Sequence, residues 1–349
     1  MHTLSLDQAK KLSLTVLIRA GLAKPDAETL YNTMLWSSLR GHESHGIGRI
    51  PGTAEQIIKD SGIATRKMSI TNQSSGTAVI DAEWTLGQLA AIEAAKLASQ
   101  KARNTGIGAV SIKNALPMGS LGYYVEMISQ NDMIGLQFAR FGYPQSAPYG
   151  GSDKLFGTNP LAVSFPAGKE RPIIVDMATT KIANLALTSL LAKGDPLPQG
   201  LVLDSEGSPT TDPARYRDGR NVVGSMANMT GDHKGFALQI IVELLGGVLS
   251  GQDLISNTKV GNQSLTIAIN ISSFCDIQDF KRQVDQRITS IKSGKKAKGF
   301  DEIYLPGEQG LRKEQGRRTG GIKLSDSEWE SFLKFGKDNN VNIDDRLEK

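Results

Sequence analysis

Apolar residues in the N-terminal stretch recur at helical spacing. Ser5-Leu6-Asp7-Gln8 reads as a capping box, and the spacing predicts a helix from about Leu6 to Ala20. Pro25 at a first-turn position, followed by Asp26 and Glu28, opens a second helix. That helix carries Leu30, Met34 and Leu35 on one side and should end near Arg40, with Gly41 as its left-handed cap. The segment GHESHGIGRIPGT follows without a clear period and reads as an ordered loop, a place where chemistry concentrates.

From about residue 67 strands and helices alternate. KMSIT and TAVID are short strands, Leu86 to Asn104 is an Ala-rich helix, and IGAVSI is a buried strand. A helix from about Ser120 to Gln130 leads into MIGLQFA, and later strands are LAVSF, PIIVD and LTIAIN. Helices are expected at about Ile182–Leu191, Gly235–Leu249 and Ile277–Ile291, and an amphipathic one around Ser325–Phe335. Apolar β-branched runs between helices imply a covered sheet in an α/β domain.

Composition narrows this. A chain of 349 residues suggests about two domains, and 39% hydrophobic with 22% charged residues excludes a disordered chain. The net charge of +4 is mild, and the basic run Lys292, Lys295, Lys296, Lys298 reads as a solvated loop, so no nucleic-acid partner is expected. Cys275 is the sole cysteine, which fits a reducing compartment. No apolar stretch reaches membrane-spanning length and the N-terminus lacks signal-peptide character, so a cytoplasmic protein with no membrane partner is expected.

Common chemical motifs are missing. There is no G-x-G-x-x-G after a strand, no Walker A loop and no G-x-S-x-G elbow. His42-Glu43-Ser44-His45 is one residue short of H-E-x-x-H, and no metal site is expected. Adjacent Ser44 and His45 are expected to point in different directions. The best site candidate is Ser44-His45-Gly46 with Arg49: a histidine titrates in the range needed to protonate a developing alkoxide, and an arginine fork grips a carboxylate. The alternative is a capping histidine and a surface arginine. Gly157-Thr158-Asn159-Pro160 reads as a turn. Ile174 to Thr180 reads as a strand-to-helix junction, either offering amides to phosphate or simply capped by Thr179 or Thr180. Asp232-His233-Lys234-Gly235 offers the same amides and a cation.

In this order SHGIGR, GTNP, VDMATT, LPQG with LDSEGSPTTDP, HKGF and ELLGGVLSG resemble one family, type-2 malate/L-lactate dehydrogenases, also called L-sulfolactate dehydrogenase-like. The resemblance runs from the N-terminal helices to Leu305-Pro306-Gly307-Glu308 and lies near the hydroxycarboxylate dehydrogenases and 2,3-diketo-L-gulonate reductases. It implies an α/β, non-Rossmann fold: a mixed sheet covered by helices plus a helical N-terminal region. The implied domains are a helical one (1–70 with 295–349), a small α/β region (71–116) and a dinucleotide-binding domain (117–294) sharing an extensive interface. It implies an NAD- or NADP-dependent oxidoreductase of 2-oxo or 2-hydroxy acids, commonly a homodimer with its site near the subunit interface. His45 then matches the proton donor, Arg49 the substrate-carboxylate partner, and Arg140, with Tyr143, a substrate-loop residue. Ser44, Leu121, Gly122, Thr158, Asn159, Pro172, Ile173, Ile174, Val175, Asp176, Met177, Ala178, Thr179, His233, Lys234, Gly307 and Glu308 match the cofactor side. Asp176 is either an orienter of His45 or a structural cap. Lys313, Arg317 and Arg318 are candidates for the adenosine 2′ pocket. One departure matters: Pro117 stands where many members carry a histidine. A cyclic imino-acid reductase and a dinucleotide-binding paralogue of reduced activity are the alternatives.

Overall fold

The computed structural model describes residues 1–218, 221–222, 224–229, 231–253 and 261–343. Seven strands form the main sheet: β1 (Ser69–Gln73), β2 (Thr77–Asp81), β3 (Ile107–Ala115), β4 (Met133–Phe141), β5 (Leu161–Phe165), β6 (Ile173–Met177) and β7 (Asn262–Asn270), in the order β1-β2-β3-β7-β4-β5-β6. Only β2 and β3 pair in parallel; the other five pairings are antiparallel. The sheet is thus mixed, and β6 is an edge strand.

The helices used below are α1 (Leu6–Arg19), α2 (Lys24–Arg40), α3 (Ile50–Lys59), α4 (Gly87–Thr105), α5 (Gly122–Ser129), α6 (Asn184–Lys193), α7 (His233–Val242), α8 (Ile277–Lys292), α9 (Glu308–Gly320) and α10 (Asp326–Asp338). The Ser5/Gln8 capping box forms at α1, and Gly41 ends α2 at φ 83°. α3 replaces the second half of the expected loop. Ile50, Ala54 and Ile57 are buried at helical spacing, and Pro51 sits in the first turn, where its missing N–H costs nothing. The helix expected over Gly235–Leu249 stops at Val242 and continues as a π turn, Glu243–Gly247, that packs Gly246 on the β4 backbone.

Two cores carry most of the burial. α1, α2, α3 and α10 enclose a helical core that includes Leu12, Leu30, Ile50, Phe332 and Phe335, joined by the antiparallel pair His2–Leu4 and Ile322–Leu324. On the sheet, the alanine stripe of α4 (Ala91, Ala94, Ala98, Ala102) and α5 cover β3 and β4 with little side-chain bulk. A small third cluster gathers Leu187, Leu197, Val202, Tyr216 and Met226. The strands at 69–115 and at 133–270 hydrogen-bond into one sheet.

Phe332 is fully buried whereas neighbouring Leu333 is exposed. Phe332→Ala should therefore cost about 3–5 kcal/mol and Leu333→Ala within about 0.5 kcal/mol in urea unfolding.

Candidate active site

The site is built outward from the last turns of α2. The Arg40 guanidinium lies 4.2 Å from the Trp36 ring centre, and Arg40 Nη2 and Nε donate to Glu126 Oε1 (2.8 Å) on α5 and Glu314 Oε2 (2.9 Å) on α9. Trp36 Nε1 donates to the other Glu126 oxygen at 2.5 Å. Ser37 and Ser120 hydroxyls meet at 2.9 Å. One charge cluster thus fixes α2 against both the sheet unit and α9.

Past Gly41 the chain makes two consecutive 3₁₀ turns, Glu43–His45 and Ile47–Arg49. Gly46 is needed there, because a Cβ would lie 2.3 Å from Ser38 Oγ, which accepts the Ile47 N–H at 2.9 Å. Arg317 donates to the Ser38 carbonyl and to Glu43 Oε1 (2.5 Å), holding the first turn from α9. Inside that turn Ser44 Oγ and His45 Nδ1 are 2.8 Å apart. The two side chains therefore converge, contrary to expectation: the tight turn brings the hydroxyl back onto the neighbouring ring.

His45 is exposed, with protein atoms crowded around its ring. Desolvation there, with positive charge from His42 and Arg49, pushes its pKa down to about 4. Arg49 is exposed and its side chain makes no ion pair or hydrogen bond with the described residues.

Trp36 links this turn to the sheet. It stacks on His42 (6.0 Å, 9°), meets Tyr123 edge-on, and packs so closely on Gly122 that a Cβ there would lie 2.6 Å from the indole. The Gly122 N–H in turn donates to Asp176 Oδ2 on β6 at 2.8 Å. Burial raises Asp176 to about 6, and the Gly122 N–H opposes that rise. The structure therefore makes Asp176 the anion at the α5 N-terminus, following Leu121, with Gly122 as its hydrogen-bond partner. Trp36 was not singled out from the sequence; its i, i+4 spacing from Arg40 on a helix was the available signal.

The remaining candidates divide. The Pro172–Ala178 stretch forms β6 and its ends, and Ile174 N–H donates to the Pro306 carbonyl at 3.4 Å, which brings Gly307 and Glu308 beside it. Thr179 is not a helix cap. Its N–H donates to the Thr158 carbonyl (2.9 Å) and its hydroxyl to the Asn159 carbonyl (3.0 Å), while α6 starts only at Asn184 with no side-chain cap. The Asn159 amide donates to Glu243 Oε2 at 2.7 Å. Arg140 is held by Glu243 Oε1 (3.0 Å) and Gln263 Oε1 (3.1 Å). At the α7 start Asp232 caps the Lys234 N–H at 2.9 Å, leaving the Lys234 side chain exposed and His233 edge-on to Tyr149. Arg317 and Arg318 are occupied, the latter by Glu314, and Lys313 lies across Gly41, adding positive charge near His42. Pro117 is exposed. A cavity of about 190 Å³ opens beside Pro172, Ile173 and Glu308. A larger groove of about 830 Å³ beside β1 holds none of these residues.

Residues 4–333 match the family described as malate/L-lactate dehydrogenase. The chain belongs to that family. It is an oxidoreductase acting on CH–OH groups. It is 33% identical to the L-sulfolactate dehydrogenase of Methanocaldococcus jannaschii over 98% of both chains, and the solved structure of that enzyme superposes with a TM-score of 0.89 over 99% of both. It is 31% identical to hydroxycarboxylate dehydrogenase B of Escherichia coli O157:H7 over 89% of this chain and 87% of that one. The crystal structure of malate dehydrogenase from Entamoeba histolytica is 26% identical with a TM-score of 0.90, covering 98% of this chain and 99% of that one. Among the described residues no helix is long and apolar enough to cross a membrane.

The Arg40, Glu126 and Glu314 side chains are 7%, 10% and 13% exposed, so Arg40→Met strands carboxylates in the interior. It should cost about 3–5 kcal/mol in urea unfolding. Adding Glu126→Gln should recover part of that loss, because a neutral amide does not require a cation.

Proposed function

We propose that this chain is an NAD(P)-dependent dehydrogenase of 2-hydroxy acids, and a reductase of 2-oxo acids in reverse. His45 is its acid–base and Arg49 its carboxylate partner. The observation that carries this reading is the arrangement of the two on one rigid double turn, joined through Trp36 to the open edge of β6. Relatives named as L-sulfolactate dehydrogenase and malate dehydrogenase support it.

The chain fits a dinucleotide along β6. As an edge strand it leaves one side of its backbone unpaired by the sheet; Pro306 accepts the Ile174 N–H there, and the remaining C=O groups suit hydroxyls and the N–H groups phosphates. Leu121 and Gly122 face the same strand through Asp176, and the apolar slot beside Pro172 lies at its start. When bound, a nicotinamide cofactor supplies or takes the hydride. Arg49 pairs both oxygens of the substrate carboxylate and so orients the reacting carbon. His45, neutral at pH 7, donates Nδ1–H to Ser44 Oγ and keeps a lone pair on Nε2 to accept the hydroxyl proton. In reduction the same Nε2 returns it. A carboxylate seated on Arg49 cancels one of the charges that lower His45, and so raises its proton affinity where the proton is needed.

A second copy of the chain completes the reading. Ile241, Leu244, Val248 and Leu249 are exposed together at the end of α7 and beyond, an apolar patch suited to a homodimer contact. Exposed Cys275 suits a reducing, cytoplasmic setting. The second reading is a cyclic imino-acid reductase. Pro117 favours it, because an imine that arrives protonated needs less acid help.

NADH and NADPH absorbance against a panel of 2-oxo acids and cyclic imino acids separates the two. Turnover on imino acids alone would replace the first reading with the second. Dinucleotide binding without turnover on either would leave a paralogue of reduced activity. His45→Ala should lower kcat about 100-fold or more while dinucleotide binding persists. For hydroxy-acid oxidation kcat/KM should stay level through neutral pH and fall as pH drops through about 4, because protonated His45 accepts nothing. Arg49→Gln should raise KM for the acid and move that limb upward in pH.

A further inference from the structure

Two asparagines beside the sheet have left-handed backbones, Asn114 at φ 54° and Asn159 at φ 38°. That conformation is strained for a residue with a side chain and persists only where its surroundings over-determine it. One hydrogen-bonded chain across β7 and β4 holds both. The Asn114 N–H donates to Gln252 Oε1 (2.9 Å), which also accepts from Gln263 Nε2 (2.9 Å). Gln263 Oε1 accepts from Arg140 Nη1 (3.1 Å), and Arg140 Nε donates to Glu243 Oε1 (3.0 Å). Glu243 Oε2 accepts from Asn159 Nδ2 (2.7 Å), and the Asn159 carbonyl accepts from the Thr179 hydroxyl (3.0 Å). Glu243 can reach because its π turn lies close on β4, where a Cβ at Gly246 would be 2.9 Å from the Arg140 backbone nitrogen.

The ends of this chain lead to the two walls that meet at the site. Asn114 opens the segment that ends in Leu121 and Gly122, and Thr179 follows Asp176 just past the end of β6. The Gly122 N–H to Asp176 Oδ2 bond (2.8 Å) joins the same two walls directly, where Gly122 also packs on Trp36. Glu243 is the link with the strictest chemistry. Both of its neighbours are donors, and they take different oxygens. A carboxylate accepts at both, whereas an amide of the same shape would turn a donor onto a donor. Asn159 is fully buried, and its Oδ1 accepts the Phe141 N–H (3.3 Å), so its side chain belongs to this network.

We propose that Glu243 is a positioning residue for the reaction: through Asn159 and Thr179 it fixes the end of β6 at the spacing from Leu121 and Gly122 that hydride transfer requires. The inference rests on the dinucleotide reading of β6. A displacement of about 1 Å between reacting groups lowers turnover by up to about 100-fold, so a shifted wall slows the chemistry while the acid still binds. The donor–acceptor pattern also supplies a repair. Glu243→Gln keeps one acceptor oxygen and so loses one of the two contacts. Adding Asn159→Asp reverses the second contact. The introduced amide then donates to the introduced carboxylate, its oxygen still accepts from Arg140, and the network keeps its charge. Aspartate, like asparagine, tolerates the left-handed backbone at that position.

The full-length chain, Glu243→Gln and the double variant are compared in three measurements. These are turnover of pyruvate, oxaloacetate and other 2-oxo acids with NADH and NADPH, urea unfolding, and hydrogen–deuterium exchange of peptides covering 114–122 and 157–180. In Glu243→Gln kcat should fall about tenfold or more with KM within about threefold, and exchange should rise in both peptides together. The double variant should restore exchange and bring kcat to within about threefold of the starting chain. A purely structural glutamate would lower stability in urea and leave kcat of the folded enzyme unchanged, and that result overturns the assignment. So does a double variant that regains stability without regaining kcat, or exchange that rises in 157–180 alone. Absence of turnover by the unaltered chain on every acid would reject the dehydrogenase reading and this role with it, a result distinct from turnover that Glu243→Gln leaves intact.

Discussion

Burying a guanidinium is unfavourable by several kcal/mol unless nearly every one of its donors finds a partner. Arg40 gives Nη2 to Glu126 on α5 and Nε to Glu314 on α9, and lies under the face of Trp36. The carboxylates are satisfied in turn, Glu126 by the Trp36 indole N–H and Glu314 by Arg318. Such a cluster contributes little net stability compared with apolar packing. What it imposes is geometry, because one arrangement satisfies all the charges and a shifted helix would leave some of them bare. The position of α2 against the sheet, and hence of everything that leaves its C-terminus, depends on this cluster.

The site inherits that rigidity. Gly41 turns the chain, Arg317 pins the first 3₁₀ turn and Ser38 the second, and desolvation with nearby positive charge keeps His45 neutral. Trp36 then serves twice, carrying Arg40 on one side and closing on Gly122 on the other. The 42–49 turn and the open edge of β6 thus belong to one packed assembly, although nearly 130 residues separate them in the chain. The polar network around Glu243 does comparable work behind the sheet, where it takes up Arg140 and Asn159 and stiffens the wall they belong to.

Much of this was legible locally. The Ser5/Gln8 box, the Pro25 start, the Gly41 stop and the alternating strands TAVID and LAVSF depend on neighbours a few residues away, and they form where the pattern places them. The errors fall where local cues conflict. Gly48, Pro51 and Gly52 hid α3, because helix-breaking residues at a helix start look the same as those of a loop. Thr179 had the chemistry of a cap, but a turn twenty residues earlier claimed it. The pairing of Arg140 with Glu243, 103 positions away, carried no local signal.

The sequence by itself determined the starts and stops of α1 and α2, the seven strands of the main sheet and the presence of an arginine four residues after a histidine. All of these follow from spacing along the chain, and its ordered motifs carried the resemblance to the family. Tertiary structure alone decided which charges stay free. Among the described residues no carboxylate pairs with the Arg49 side chain, whereas Arg40, Arg140, Arg312 and Arg317 give their charge to partners up to 274 positions away. Charge matching acts through space, over a few ångströms. A linear pattern shows which cations exist, but not which of them the fold leaves for a ligand.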